Sequence, residues 1–292
     1  MTDRIDHDNE IDFHYLAMPP VCLSFRAVVG ALPALVTLVA FTPKARALDL
    51  FEVQVYQSEV NKPGHFGLEL HTNYTARGQR GVEYEGHVPP DRATRMTFEP
   101  ALGVTEWLEL GAYFQTMHAP DYGVRYGGFK LRAKMVVPER ISGNAMLGLN
   151  VELGRVPLAV EQDGWANELR PIVGYKDGHF LVSFNPIIGY AFSGSEKFRL
   201  HFEPALKGWV NTQLGFALGA EYYAGLGLID RGFTPVRDQE HLALIAFDLA
   251  EKANAKEDDD DGEWELNVAF GRGFGPSTAQ EWLLKTILGK SF

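Results

Sequence analysis

The sequence predicts an all-β chain, a single antiparallel transmembrane β-barrel of about 12 strands. Two observations predict it. Apolar and polar residues alternate with period two from residue 65 to the last residue, Phe292. No long stretch past residue 47 carries apolar residues at helical spacing. The 46% apolar content matches an ordinary soluble protein, which a barrel tolerates because only alternate strand residues meet lipid. A secreted β-sandwich also alternates, but charge on nearly every polar face and the leader described next favour the barrel.

Ala27 to Phe41 is the one long apolar run. It contains Pro33 and falls short of the roughly 20 residues of a transmembrane helix. Arg26 precedes it, and Ala45-Arg46-Ala47 follows as an A-x-A cleavage signal. Residues 1–47 therefore read as a signal peptide, with Met18 as an alternative start and an uncut membrane anchor as the alternative reading. Cys22 lies before the apolar run rather than at the cut, so lipidation is not expected. Residues 48–64 are expected to be a periplasmic N-terminal segment, and residues 65–292 the barrel. With the 4 basic and 5 acidic residues of 1–47 set aside, 23 basic and 33 acidic residues remain, net −10. That balance argues against nucleic acid. The expected partners are outer-membrane lipids and a small-molecule solute, with no cofactor and no metal.

The strands follow in order. Phe66, Leu68, Leu70 and Tyr74 oppose Gly67, Glu69, His71 and Asn73. Met96, Phe98, Pro100 and Leu102 oppose Arg95, Thr97, Glu99 and Ala101. Leu108, Leu110 and Phe114 oppose Glu109, Gly111 and Gln115, and Phe129, Leu131 and Met135 oppose Lys130, Arg132 and Lys134. Leu147, Leu149 and Val151 oppose Met146, Asn150 and Glu152; Leu169, Pro171 and Val173 oppose Glu168, Arg170 and Ile172. Phe180, Val182 and Phe184 oppose His179, Leu181 and Ser183. Phe198, Leu200, Phe202 and Leu206 oppose Arg199, His201, Glu203 and Lys207. Leu218, Ala220 and Tyr222 oppose Gly219 and Glu221, and Trp264, Leu266 and Val268 oppose Glu265 and Asn267. Leu242 to Leu249 is apolar but irregular, and Trp282 to Phe292 reads as a last strand or a short helix.

Short turns (Thr105-Glu106, Pro138-Glu139-Arg140, Lys176-Asp177-Gly178, Asn211-Thr212) alternate with longer links. Those links are 78–91, 117–123, 154–165, 225–238 and 273–280. Short periplasmic turns and longer outer loops produce this alternation. Ser193 to Glu196 is short for its place, and the acidic run Glu257 to Asp261 is long for a turn. That run reads as a solvated loop, because it lacks the spacing of an EF-hand. Phe98-Glu99-Pro100-Ala101-Leu102 recurs at Phe202-Glu203-Pro204-Ala205-Leu206, with related phrases around Pro171 and Pro186. Proline removes a ladder donor, so these phrases are expected to mark bulges.

The polar faces name the candidate lumen lining: Glu69, His71, Arg95, Glu99, Glu109, Lys130, Arg132, Lys134, Glu168, Arg170, Arg199, His201, Glu203, Lys207 and Glu221. Lys130, Arg132 and Lys134 form a basic ladder, either an anion-selecting wall or one half of a set of lumen ion pairs. No catalytic residues are assigned. His179 and Ser183 share a face but stand about 13 Å apart along a strand, too far to bond.

Glu52-Val53-Gln54-Val55-Tyr56, Asn61 to His71, Gly103 to Gly111 and the Trp264–Gly273 stretch resemble proteobacterial outer-membrane proteins. The group is that named for a MetA pathway of phenol degradation, and the resemblance covers most of residues 50–292. It implies an outer-membrane barrel passing small hydrophobic or aromatic compounds, and no catalytic residues. The expected function is therefore a channel or transporter. The alternatives are a barrel-embedded lipid hydrolase and a sealed structural barrel.

Overall fold

The computed structural model describes residues 48–292 except Ser195, Gln213, 250–263 and 276–277. The expected signal peptide and the acidic run 257–261 lie outside the described residues. Alternation becomes twelve antiparallel strands. They are β1 Phe66–Gly78, β2 Thr94–Thr105, β3 Leu108–Ala119, β4 Gly123–Val136, β5 Ala145–Arg155 and β6 Asn167–Lys176. β7 runs Phe180–Asn185 and resumes as Ile188–Tyr190; β8 is His201–Phe202 and then Ala205–Asn211; β9 is Phe216–Gly225 and then Gly227–Leu228. β10 is Glu240–Leu249, β11 Trp264–Phe274 and β12 Gln280–Ser291. Each pairs with its sequence neighbours, and β1 pairs with β12 from Gly67↔Ser291 to Gly78↔Gln280, which closes the cylinder and leaves no edge.

The last segment, ambiguous from its sequence, is a 12-residue strand because two neighbours supply its hydrogen bonds. Pro186 and Pro204 interrupt β7 and β8 side by side, while Pro100 and Pro171 sit within unbroken strands. The Phe198–Lys207 strand is thereby corrected. Its first residues belong to an outer loop, and β8 begins only at His201. The 117–123 link is a tight hairpin, because β3 and β4 run on to Ala119 and Gly123.

The two faces differ as the pleat requires. Leu131 is 54% exposed whereas Lys130 is fully buried. Outward aromatics gather at both rims. Phe66, Trp264, Tyr175, Phe180 and Phe292 ring the periplasmic end, and Tyr74, Tyr222, Phe274 and Trp282 the outer end, the girdles of a membrane barrel.

The segment before β1 is the main departure from expectation. Residues 48–64 do not lie below the barrel; they run inside it, from the outer mouth to the periplasmic rim. Leu48 N–H donates to Glu240 at the top of β10 (3.1 Å). Tyr56 N–H meets Asn185 Oδ1 (2.6 Å) where β7 breaks. Asn61 N–H meets Glu109 (2.7 Å), and Gly64 N–H meets the Gly103 carbonyl (2.8 Å) near the lower rim. The chain then turns upward into β1. An extended strand carries bare N–H and C=O groups on both sides, so a polar lumen can hold it where lipid or a dry core cannot.

Two glycines make room for this segment. A Cβ on Gly103 would stand 2.2 Å from the Asn61 carbonyl oxygen, and one on Gly127 2.6 Å from the Phe51 ring.

Candidate functional site: the filled lumen

The lumen has two unlike walls, and the inner segment matches both. Val53 and Val55 pack with Ala205, Tyr223, Leu242, Leu244, Ala246, Ala269 and Leu283 in one buried cluster. This explains the irregular strand β10: it is apolar outward toward lipid and apolar inward toward the two valines.

The opposite wall, β1 to β6, is charged and faces Asp49, Glu52 and Tyr56. Lys130 Nζ reaches the half-buried Asp49 (2.7 Å) and the buried Glu152 (3.3 Å) and Glu52 (3.4 Å). Arg170 donates to Glu168 (2.8 Å) and to the Gln54 carbonyl (3.0 Å), and its guanidinium lies 4.6 Å from the Tyr56 ring centre. Lys134 lies over the same ring at 5.2 Å. The Tyr56 and Tyr113 hydroxyls share a hydrogen bond. Ser183 Oγ donates to the Tyr56 carbonyl (2.6 Å). Below them, Arg132 bridges Glu99 and Glu109, and His71 sits between Glu69 (3.0 Å) and Glu99 (3.2 Å). On the far side, Glu221 receives Lys285 and Lys207, and Lys207 also reaches Asp248 (3.0 Å).

Fourteen of the fifteen candidate residues thus point to the interior or its mouths, with His201 and Glu203 buried near the outer end. Arg199 is the exception and is corrected. It lies in the loop before β8 and pairs with Asp230 (2.8 Å) and, more distantly, Glu196. Sequence reasoning missed Asp49, Glu52, Tyr56, Lys285 and Glu240, while Tyr113 shares the polar face of Glu109 and Gln115. The one signal for Glu52 and Tyr56 was the alternation of Glu52-Val53-Gln54-Val55-Tyr56 itself.

Above the inner segment opens a vestibule of about 370 Å³. Phe51, Val88, Val156, Val160 and Ala166 form the apolar part of its lining, and Asp49, Glu83, Glu161, Glu168 and Glu203 make the rest acidic. Arg95, 3% exposed, lies against the Phe51 ring at 5.7 Å, and its Nε and Nη1 have no partner among the described residues.

Two arrangements speak against other chemistry. Ligand atoms of Glu69, His71 and Glu99 lie within 4.8 Å of one another, a metal-like spacing, but the Arg132 guanidinium already supplies the positive charge beside Glu99. His179 lies in the β6–β7 turn, while Ser183 points inward and holds Tyr56, so the pair does not form a nucleophile and base.

No family model and no curated protein matches the chain. Among solved structures, an outer membrane channel from Pseudomonas putida F1 is similar over 82% of this chain and 100% of its own, at 15% identity and a TM-score of 0.51. A KdgM porin is similar over 77% and 99% (8% identity, TM-score 0.46), and a CymD monoaromatic hydrocarbon channel over 80% and 88% (10%, 0.38). The first likeness shows the fold, and the fold is that of an outer-membrane β-barrel.

Proposed function

We propose that this protein is an outer-membrane channel or transporter for small molecules, conducting only when residues 48–60 leave the lumen or shift aside. The observation that carries the reading is that the interior is filled by the chain's own segment, held on one wall through ion pairs and hydrogen bonds and on the other by the packing of Val53 and Val55. Polar contacts of this kind can be exchanged for water or solute. The vestibule supports the finer reading. Its apolar side chains leave room for a small aromatic or hydrophobic body, and Arg95 within the otherwise acidic lining offers a donor to an uncharged acceptor group on it. The resemblance to the phenol-degradation group points the same way.

Planar-bilayer recording tests the proposal. Wild type should show rare or small conductance steps, and a variant lacking residues 48–60 frequent large ones. A deletion variant that folds, by heat-modifiable gel mobility, and stays silent favours the second reading, a sealed structural barrel.

A further inference from the structure

Glu240 opens β10 at the outer mouth. It is 3% exposed and forms no ion pair among the described residues. Its Oε1 accepts the Ala279 N–H (2.8 Å) and its Oε2 the Leu48 N–H (3.1 Å). Glu83 adds a second negative charge nearby. A buried carboxylate with two amide donors and no cation among the described residues is costly, and it is relieved either by taking up a proton or by a cation at hydrogen-bond distance.

The sequence supplies one. Leu48 is the residue that follows Ala45-Arg46-Ala47. Hydrolysis of the Ala47–Leu48 amide adds water across the bond, leaves a carboxylate on Ala47 and an amine on Leu48, and that amine takes up a proton at neutral pH. The nitrogen that becomes an ammonium is the one already 3.1 Å from Glu240.

Topology gives a second, independent reason for a cut here. Leu48 lies at the outer mouth while β1 starts at the periplasmic rim. A leader still anchored in the inner membrane cannot reach a residue on the far side of the outer membrane without itself threading the filled lumen.

We propose that the chain is cut between Ala47 and Leu48 and that Glu240 is the receptor for the new α-ammonium. The ion pair fastens the top of the inner segment, so removal of the leader is a precondition for securing the segment in the lumen. It forms only if the cut falls at this bond, because a cut one residue away leaves an amide or no group at that position.

Three measurements test it. The protein from outer membranes should begin at Leu48 by N-terminal sequencing and intact mass; any other start overturns the proposal. In detergent at pH 7, acetylation of the Leu48 α-amine by an N-hydroxysuccinimide ester should be at least tenfold slower in wild type than in Glu240→Gln. Surface lysines serve as the internal standard. Equal rates overturn the ion pair. A chain with Gly inserted between Ala47 and Leu48, cut to begin at that Gly, returns an amide to Leu48 and should acetylate as fast as Glu240→Gln. Protection of the inserted Gly at the wild-type level would mean that burial alone shields the terminus, and would overturn the role of Glu240. The insertion carries the test if Glu240→Gln does not fold.

Discussion

At the scale of single residues, Lys130 is the most consequential side chain in the lumen. It sits among Asp49, Glu52 and Glu152, two of which are fully buried or nearly so. Lys130→Met would leave these carboxylates without their cation, a loss of about 3–5 kcal/mol for a broken buried pair. The expected outcome is a lower temperature for the heat-modifiable gel transition and more frequent conductance steps, because Asp49 and Glu52 belong to the inner segment. Arg132 follows the same logic. Its sequence context describes a wet lumen, where Arg132→Leu should spare assembly. Bridging Glu99 and Glu109 under the inner segment, it is instead expected to destabilise the barrel by a similar amount. Arg95 makes no ion pair among the described residues, although the charge of Asp49 acts on it. Arg95→Met should leave the gel transition within a few degrees of wild type and lower the preference for anions over cations in the 48–60 deletion variant, measured by reversal potential in a salt gradient.

At the scale of elements, the pleat fixes which change a strand tolerates. Leu131 stands one residue from Arg132 on β4 and faces lipid at 54% exposure. Leu131→Arg puts a charge into hydrocarbon at about 2–4 kcal/mol near the midplane. The folded gel band should be reduced while any protein that folds conducts as wild type does. Normal folding of this variant would mean that the faces of β4 are assigned backwards. Gly103 tests the inner segment in the same way. A methyl there collides with the Asn61 and Lys62 carbonyls at 2.2 and 2.3 Å. Gly103→Ala should therefore displace the lower end of the segment and raise conductance without loss of the barrel.

The strands were legible because a membrane wall forces strict alternation, and their outer ends were not, since beyond the hydrocarbon no face must be apolar. The inner segment was hidden for a different reason. Glu52-Val53-Gln54-Val55-Tyr56 alternates like any strand, and nothing local says whether its polar side meets water or the walls of a lumen. The trace it left was in β10, where Leu242, Leu244 and Ala246 are apolar on a face that should have been polar. Local pattern shows that such a face is buried; only the closed barrel shows what buries it.

At the scale of the whole molecule, ion pairs and valines divide the work. One wall of the cylinder grips the segment by charge, the other by apolar area. High salt screens exposed pairs within about 10 Å at 0.1 M but buried ones far less. Raising salt from 0.1 to 1 M should therefore change opening frequency in bilayers only modestly in wild type. A steep rise would show that the pairs are solvated.

The pairing of β1 with β12 sets the order of assembly. These are the first and last strands of the chain, so the wall cannot shut until synthesis and export are complete. The stretch that must end up within precedes β1 and is joined to it covalently through the Gly64 turn. It can thus be laid along the half-built wall while the seam is still open, and the seam zipped over it afterward. A free leading end makes this a wrapping problem without a knot. It also sets a kinetic choice: seam closure that outruns the docking of Val53, Val55 and Tyr56 leaves an empty cylinder, which the tail must then enter end-first. Refolding in detergent should accordingly yield two slowly exchanging populations, separable by their conductance.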